Sequence, residues 1–173
     1  MDALKAINTR RSIRKYKQKK ISIQTVKKLI GAARNAPSSF NEQSWVFITV
    51  TNKETKEKLA EHKSQKSKFM KDAPLIIACC YDTTKTRTKA HNLENVAVAS
   101  ENILVAANAL GLGACYVGGF DPEYPEIEDS INIALKLPSN IKIVCLITIG
   151  YPDEKPAKKS MRPISEVWKM EKY

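Results

Sequence analysis

Two uninterrupted apolar stretches constrain this chain more than any other feature. Residues 74–81 read P-L-I-I-A-C-C-Y, and residues 141–149 read I-K-I-V-C-L-I-T-I. A short continuous apolar run suits a strand buried on both faces, and the first stretch is predicted to be one. The second reads as the last core strand. Residues 45–51 (W-V-F-I-T-V-T) are β-branched and aromatic and predict a third strand. Residues 114–117 predict a short fourth one, leading into Gly118-Gly119-Phe120. A sheet of this kind needs helices to cover it.

The intervening segments supply them. Residues 2–8 predict a short helix. Ser22 is a good N-cap for a second helix, in which Val26, Leu29, Ile30 and Ala33 recur at helical spacing and which Pro37 ends. Asn52 caps a charged helix running to about His62. Residues 69–73 form a short connector and residues 82–90 a polar loop. Residues 92–110 predict the longest helix, closed by Gly111. Its small and apolar positions cover more than one face, which predicts burial on several sides, in the core or across a dimer seam. Residues 125–137 predict a further helix, ended by Pro138. Alternating helices and strands argue for one domain over residues 1–173, a sheet flanked by helices. The tail, residues 151–173, is too polar to be core.

Composition narrows the class. With 43% hydrophobic and 27% charged residues, the chain is ordinary for a globular protein. No apolar run approaches the roughly 20 residues of a membrane helix, and the N-terminus lacks an apolar signal core, so a cytoplasmic location is expected. Cys79, Cys80, Cys115 and Cys145 sit inside apolar runs without a C-x-x-C spacing, as buried reduced thiols do. The net charge of +11 is spread over many lysines without a recognition-motif spacing. This predicts a solvated basic surface that steers anionic small molecules, and no nucleic-acid partner.

Few residues offer chemistry of their own. Gly111-Leu112-Gly113 follows a helix and precedes a strand, the reverse of a dinucleotide-binding turn. His62 and His91 are the only histidines, and no G-x-S-x-G elbow occurs. His91 and Glu94 read as a surface pair, and no metal site is expected. Hard chemistry would therefore need a cofactor. Three polar segments suit one. Arg10-Arg11-Ser12-Ile13-Arg14 can clamp a phosphate, because guanidinium forks match phosphate oxygens. Residues 36–45 (A-P-S-S-F-N-E-Q-S-W) form a loop of small hydroxyl and amide side chains able to line a flat ring. Residues 158–163 (K-K-S-M-R-P) add cations near the C-terminus.

In this order, the three segments resemble the FMN-dependent nitroreductase family. The resemblance runs from Ile7 to Val167 and includes D-A-P before the buried strand, A-N-A-L-G-L-G-A-C-Y-V-G-G-F, and G-Y-P followed by K-S-M-R-P. The chain looks like a short member. The resemblance implies a nitroreductase-like α+β fold, a mainly antiparallel sheet flanked by helices, in an intertwined homodimer with FMN at the interface. Arg10, Arg11, Ser12, Lys159 and Arg162 would hold the FMN phosphate end, with the tail serving the cofactor site or the dimer. Arg14 would lie at the pyrimidine edge and tune the flavin. Pro37, Ser38, Ser39 and Asn41 would face the ring from the partner chain. Val117, Gly118 and Gly119 would aim backbone N–H groups at it. The implied reaction is ping-pong: NADH or NADPH delivers hydride to flavin N5, and a flat nitroaromatic or quinone-like acceptor takes the electrons, with no catalytic side chain. Gly118 stands where some relatives carry a glutamate that positions nicotinamide, and Phe69 where some carry a basic residue. Two rivals remain: a same-fold enzyme that fragments flavin or dehalogenates its substrate, and a basic nucleic-acid-binding protein that has lost flavin.

Overall fold

Strands β3 (Leu75–Asp82) and β5 (Ile141–Pro152) form the middle of the sheet, where their apolar runs are covered on both faces. The structure, a computed structural model, describes residues 1–61, 65–87, 90–119 and 123–173. The end of the charged helix at His62, Phe120, and residues 88–89 of the polar loop lie outside the described residues. All strand pairings are antiparallel. β3 pairs with β5 on one side and with β2 (Trp45–Val50) on the other. The far side of β5 is shared by β4 (Gly113–Gly118) and by a two-residue strand, β1 (Tyr16–Lys17). β2 and β4 thus border opposite edges of the sheet.

Helices complete two cores. On one face α2 (Ile23–Ala33) and α4 (Asn92–Ala109) bury Leu29, Ala33, Val96, Ala99 and Ile103 against Ile77, Cys79 and Ile147. On the other, α3 (Lys53–Glu61) and α5 (Glu126–Leu135) bring Leu59 and Ile131 onto Ile76, Cys80 and Leu146. α1 (Ala3–Thr9) lies on α4, and a four-residue helix, α6 (Ile164–Val167), sits in the tail. Ser22 and Asn52 are caps the sequence predicts, and Asp2 caps α1 as well. Asp2 accepts from Lys5 N–H, Ser22 from Thr25 N–H and Asn52 from Thr55 N–H. Gly111 takes a φ of 75° beyond α4, the left-handed turn that glycine makes without a Cβ penalty. The four cysteines are buried, and none of them is in a disulfide.

Four expectations need correction. β5 runs three residues past 149, and its extension gives β1 a partner, which adds a fifth strand to the sheet. Residues 65–72 form a 3-10 turn rather than a plain connector. α5 ends at Lys136, whose left-handed φ of 53° breaks the helix before Pro138 is reached. Within one chain, α4 buries a single face through Asn92, Asn95, Val96, Ala99, Ser100, Ile103, Leu104 and Ala107, while Leu93, Val98 and Leu110 are exposed. Its second apolar face has no cover among the described residues of its own chain.

Candidate functional site

The arginine segment is tied to the open edge of β4. Ile13 N–H donates to Ala114 O at 3.0 Å, and Ser12 bridges Ala114 in the parallel sense. The approach is close because residue 113 is glycine: a Cβ there would lie 2.7 Å from Ile13 Cβ. Two further ties fix Arg14. The buried Tyr16 hydroxyl donates to Ile13 O and meets Thr148 Oγ1 at 2.8 Å. Burial raises the Tyr16 pKa, partly offset by the bond to Thr148. Glu154 Oε1 accepts the backbone N–H groups of Arg14 and Lys15, and Asp153 N–H donates to Lys15 O at 2.9 Å.

The Arg14 side chain enters a cleft of about 470 Å³ lined also by Ser67, Phe69, Cys115, Tyr116 and Val117. Its guanidinium stands 5.9 Å from the centre of the Phe69 ring, within cation–π range. Burial pushes the Cys115 thiol pKa up, while Arg14, the Ser12 hydroxyl and Arg10 pull the other way.

Backbone direction along β4 corrects two expected roles: Val117, opposite Leu146, and Gly119 both turn their N–H groups toward β5 rather than toward the open edge. Gly119 N–H donates to Val144 O at 2.9 Å, so it points into the sheet. Its lack of a side chain serves packing, since a Cβ would lie 2.6 Å from Ile143 Cγ1. In an antiparallel ladder, hydrogen-bonded and non-bonded pairs alternate. Gly118 and Tyr116, opposite Cys145 and Ile147, therefore direct their N–H groups away from β5, to the open edge that Arg14 borders.

The arginines do not form one clamp. Arg10 Nε pairs with Glu101 Oε1 at 3.3 Å. Arg11 Nη1 donates to Asn8 O and to Arg10 O at 2.9 and 2.7 Å. Both line a separate hollow of about 170 Å³ with Glu154 and Pro156. Lys159 and Arg162 lie on the exposed tail, with no hydrogen bond or ion pair among the described residues. From Lys155 onward every residue of the tail is exposed.

The loop at residues 37–43 is rigid but distant. Ser39 N–H donates to Asn95 Oδ1 and Gln43 N–H to Ser38 Oγ, both at 3.0 Å. Phe40, Asn41 and Gln43 take left-handed φ values of 50°, 54° and 50°. Pro37, Ser38, Ser39 and Asn41 thus sit beside β2, at the sheet edge opposite Arg14 and Val117. The Asn95 Nδ2 beneath the loop is buried with no partner among the described residues. Tyr16, Thr148, Glu154, Cys115 and Asn95 carry structural roles here that the sequence reading did not assign. Only Tyr16, inside the arginine segment, had a positional signal. The expected surface pair is present, with His91 Nδ1 and Glu94 Oε2 2.7 Å apart and exposed. No metal-binding group of three or more residues occurs among the described residues. No helix among them is long and apolar enough to cross a membrane.

An antiparallel sheet covered by helices, with a cationic cleft at one edge and a rigid polar loop at the other, matches known proteins along its length. The Nitroreductase family profile matches residues 7–68 and 61–151, and the chain belongs to that family. A Methanothermobacter thermautotrophicus protein with the provisional name NADH dehydrogenase/NAD(P)H nitroreductase is 35% identical over 161 residues, covering 93% of this chain and 83% of its own. The Bacillus subtilis FMN reductase [NAD(P)H] is 27% identical, over 99% of this chain and 74% of its own. The solved FMN-dependent nitroreductase of Clostridium difficile R20291 superimposes with a TM-score of 0.86 at 30% identity, covering 98% of this chain and 99% of its own.

Proposed function

We propose that this chain is an NAD(P)H-dependent FMN oxidoreductase acting as a homodimer. The observation that carries this is the cleft: one guanidinium, one aromatic wall and two outward backbone N–H groups on a single strand edge. These residues fit FMN. The carbonyl and nitrogen acceptors of an isoalloxazine ring suit the N–H groups of Tyr116 and Gly118. Arg14 sets a cation where a reduced flavin concentrates negative charge, and Phe69 orients that cation. When bound, FMN supplies electron transfer between a reduced nicotinamide and a flat, electron-poor acceptor such as a nitroaromatic or quinone. No side chain of the cleft need act as a covalent catalyst.

A second copy completes the site. β4 and β2 are separated by β5 and β3, roughly 14 Å at the usual strand spacing. One ring therefore reaches both Arg14 and a loop of residues 37–41 more readily when the loop belongs to another chain. The uncovered face of α4 supports this, as do the exposed Met161, Ile164, Val167 and Trp168 of the tail, because apolar surface of that extent marks an interface. Arg10 and Ser12, with Lys159 and Arg162 once the tail is docked, would hold the phosphate, and Glu101 would yield Arg10 to it.

Replacing Arg14 tests the assignment. Arg14→Ala should weaken FMN binding about tenfold or more, the worth of a charge-assisted hydrogen bond, and should make bound flavin harder to reduce. Arg14→Lys should recover part of both. Unchanged affinity and unchanged potential would remove Arg14 from this role. Anaerobic bleaching by NADH or NADPH, followed by reoxidation with nitroaromatics and quinones, identifies donor and acceptor.

A further inference from the structure

A second cavity lies apart from the Arg14 cleft. It measures about 600 Å³ and is lined by Gln18, Lys19, Lys20, Ile21, Val26, Thr51, Lys56, Pro74 and Leu75. It shares no residue with the cleft, the arginine hollow or the polar loop. We propose that it is a second ligand site, which takes a small organic anion: one carboxylate or phosphate on a compact apolar body.

Charge is the first argument. Three lysines line the cavity and no acid does. Lys19 and Lys20 stand at an exposed rim, and Lys19 Nζ is kept there 4.4 Å from the centre of the Tyr151 ring. Lys56 is the deep member, only 9% exposed. Its ammonium donates to Ala73 O at 2.7 Å, leaving two of its three protons for other acceptors. Among the described residues no carboxylate comes within 4.0 Å of it, and Glu57 pairs with Lys53 instead. Burial lowers the Lys56 pKa, with the more distant Asp72 and Glu57 acting against that. An ammonium with two protons to spare and no ion pair gains from an oxyanion within reach, and one in the cavity would supply it. Shape and lining are the second argument. Ile21, Val26, Pro74 and Leu75 give an apolar floor, Thr51 adds a hydroxyl, and the volume is that of ordinary small-molecule sites.

The test uses the purified, ¹⁵N-labelled protein, with benzoate, phenyl phosphate and uncharged benzyl alcohol as probes. One or both anions should shift the amides of Gln18, Thr51 and Leu75 saturably, and the relative response tells carboxylate from phosphate chemistry. Benzyl alcohol should not. Lys56→Gln should weaken the anion about tenfold, as loss of a charge-assisted bond does. The exposed pair Lys19→Gln/Lys20→Gln should weaken it severalfold with the fold untouched, and decides the matter should Lys56→Gln misfold. No saturable shift with either anion, equal binding of benzyl alcohol, or anion affinity unchanged in the variants would overturn the proposal. Because no readout involves flavin, failure here and failure of the oxidoreductase assignment are separable.

Discussion

Removing one oxygen, in Tyr16→Phe, tests how the arginine segment is held. The hydroxyl is buried, and its loss strands Ile13 O and leaves Thr148 Oγ1 only its long bond to Cys115 O at 3.4 Å. The ring still fills its place against Gly150, so no cavity opens. The expected cost is about 1–3 kcal/mol, the penalty for unsatisfied buried polar groups. The cost should also depend on pH. Burial raises the folded pKa of Tyr16 above its ordinary 10.0. The unfolded chain therefore releases this proton first, and the stability is fully present below pH 10 and declines as pH rises toward the folded value. Linkage sets the decline at about 1.4 kcal/mol per pH unit in that window. Urea denaturation of both proteins at pH 8 and at pH 11 isolates this one group, because other buried acids such as Cys80, pushed up to about 12, cancel in the difference. The gap should shrink by about 1 kcal/mol at the higher pH. A gap that is absent at pH 8, or that stays constant to pH 11, would refute the buried-hydroxyl argument.

Two further substitutions probe the supports of the site. Gly113→Ala sets a Cβ 2.7 Å from Ile13 Cβ, and should cost about 1–3 kcal/mol by overpacking while loosening FMN binding; calorimetry and a flavin titration check both. Asn95→Ala strands the Ser39 N–H and should cost about 1–3 kcal/mol, with faster hydrogen exchange at Ser39. Unchanged exchange there would contradict the tether.

The strands at the centre of the sheet were legible because their cover on both faces leaves a continuous apolar trace, and Ser22, Asn52 and Gly111 marked helix ends through cap chemistry that is local. β1 was not legible. Two residues carry no periodicity, and Tyr16–Lys17 is a strand only because β5 continues to Pro152. α4 was legible in part: its apolar residues lie on several faces, and the described residues of one chain cover a single face. At the site, the segment of Arg14 was visible from residue type and Val117 through the family resemblance, and the structure sets the two in one cleft. Which backbone N–H points outward was not, because strand register decides between Gly118 and Gly119. Nor could charge alone show that Arg10 and Arg11 are engaged by Glu101 and by nearby carbonyls. The left-handed Phe40, Asn41 and Gln43 left no sequence mark, since none is glycine.

The visible absorbance spectrum of the purified protein, before and after addition of FMN, tests the central claim most directly. A bound-flavin spectrum, with about one FMN per chain as expected for a shared interfacial site, and bleaching by NADH or NADPH would agree with the account. Protein that stays colourless after reconstitution would contradict it.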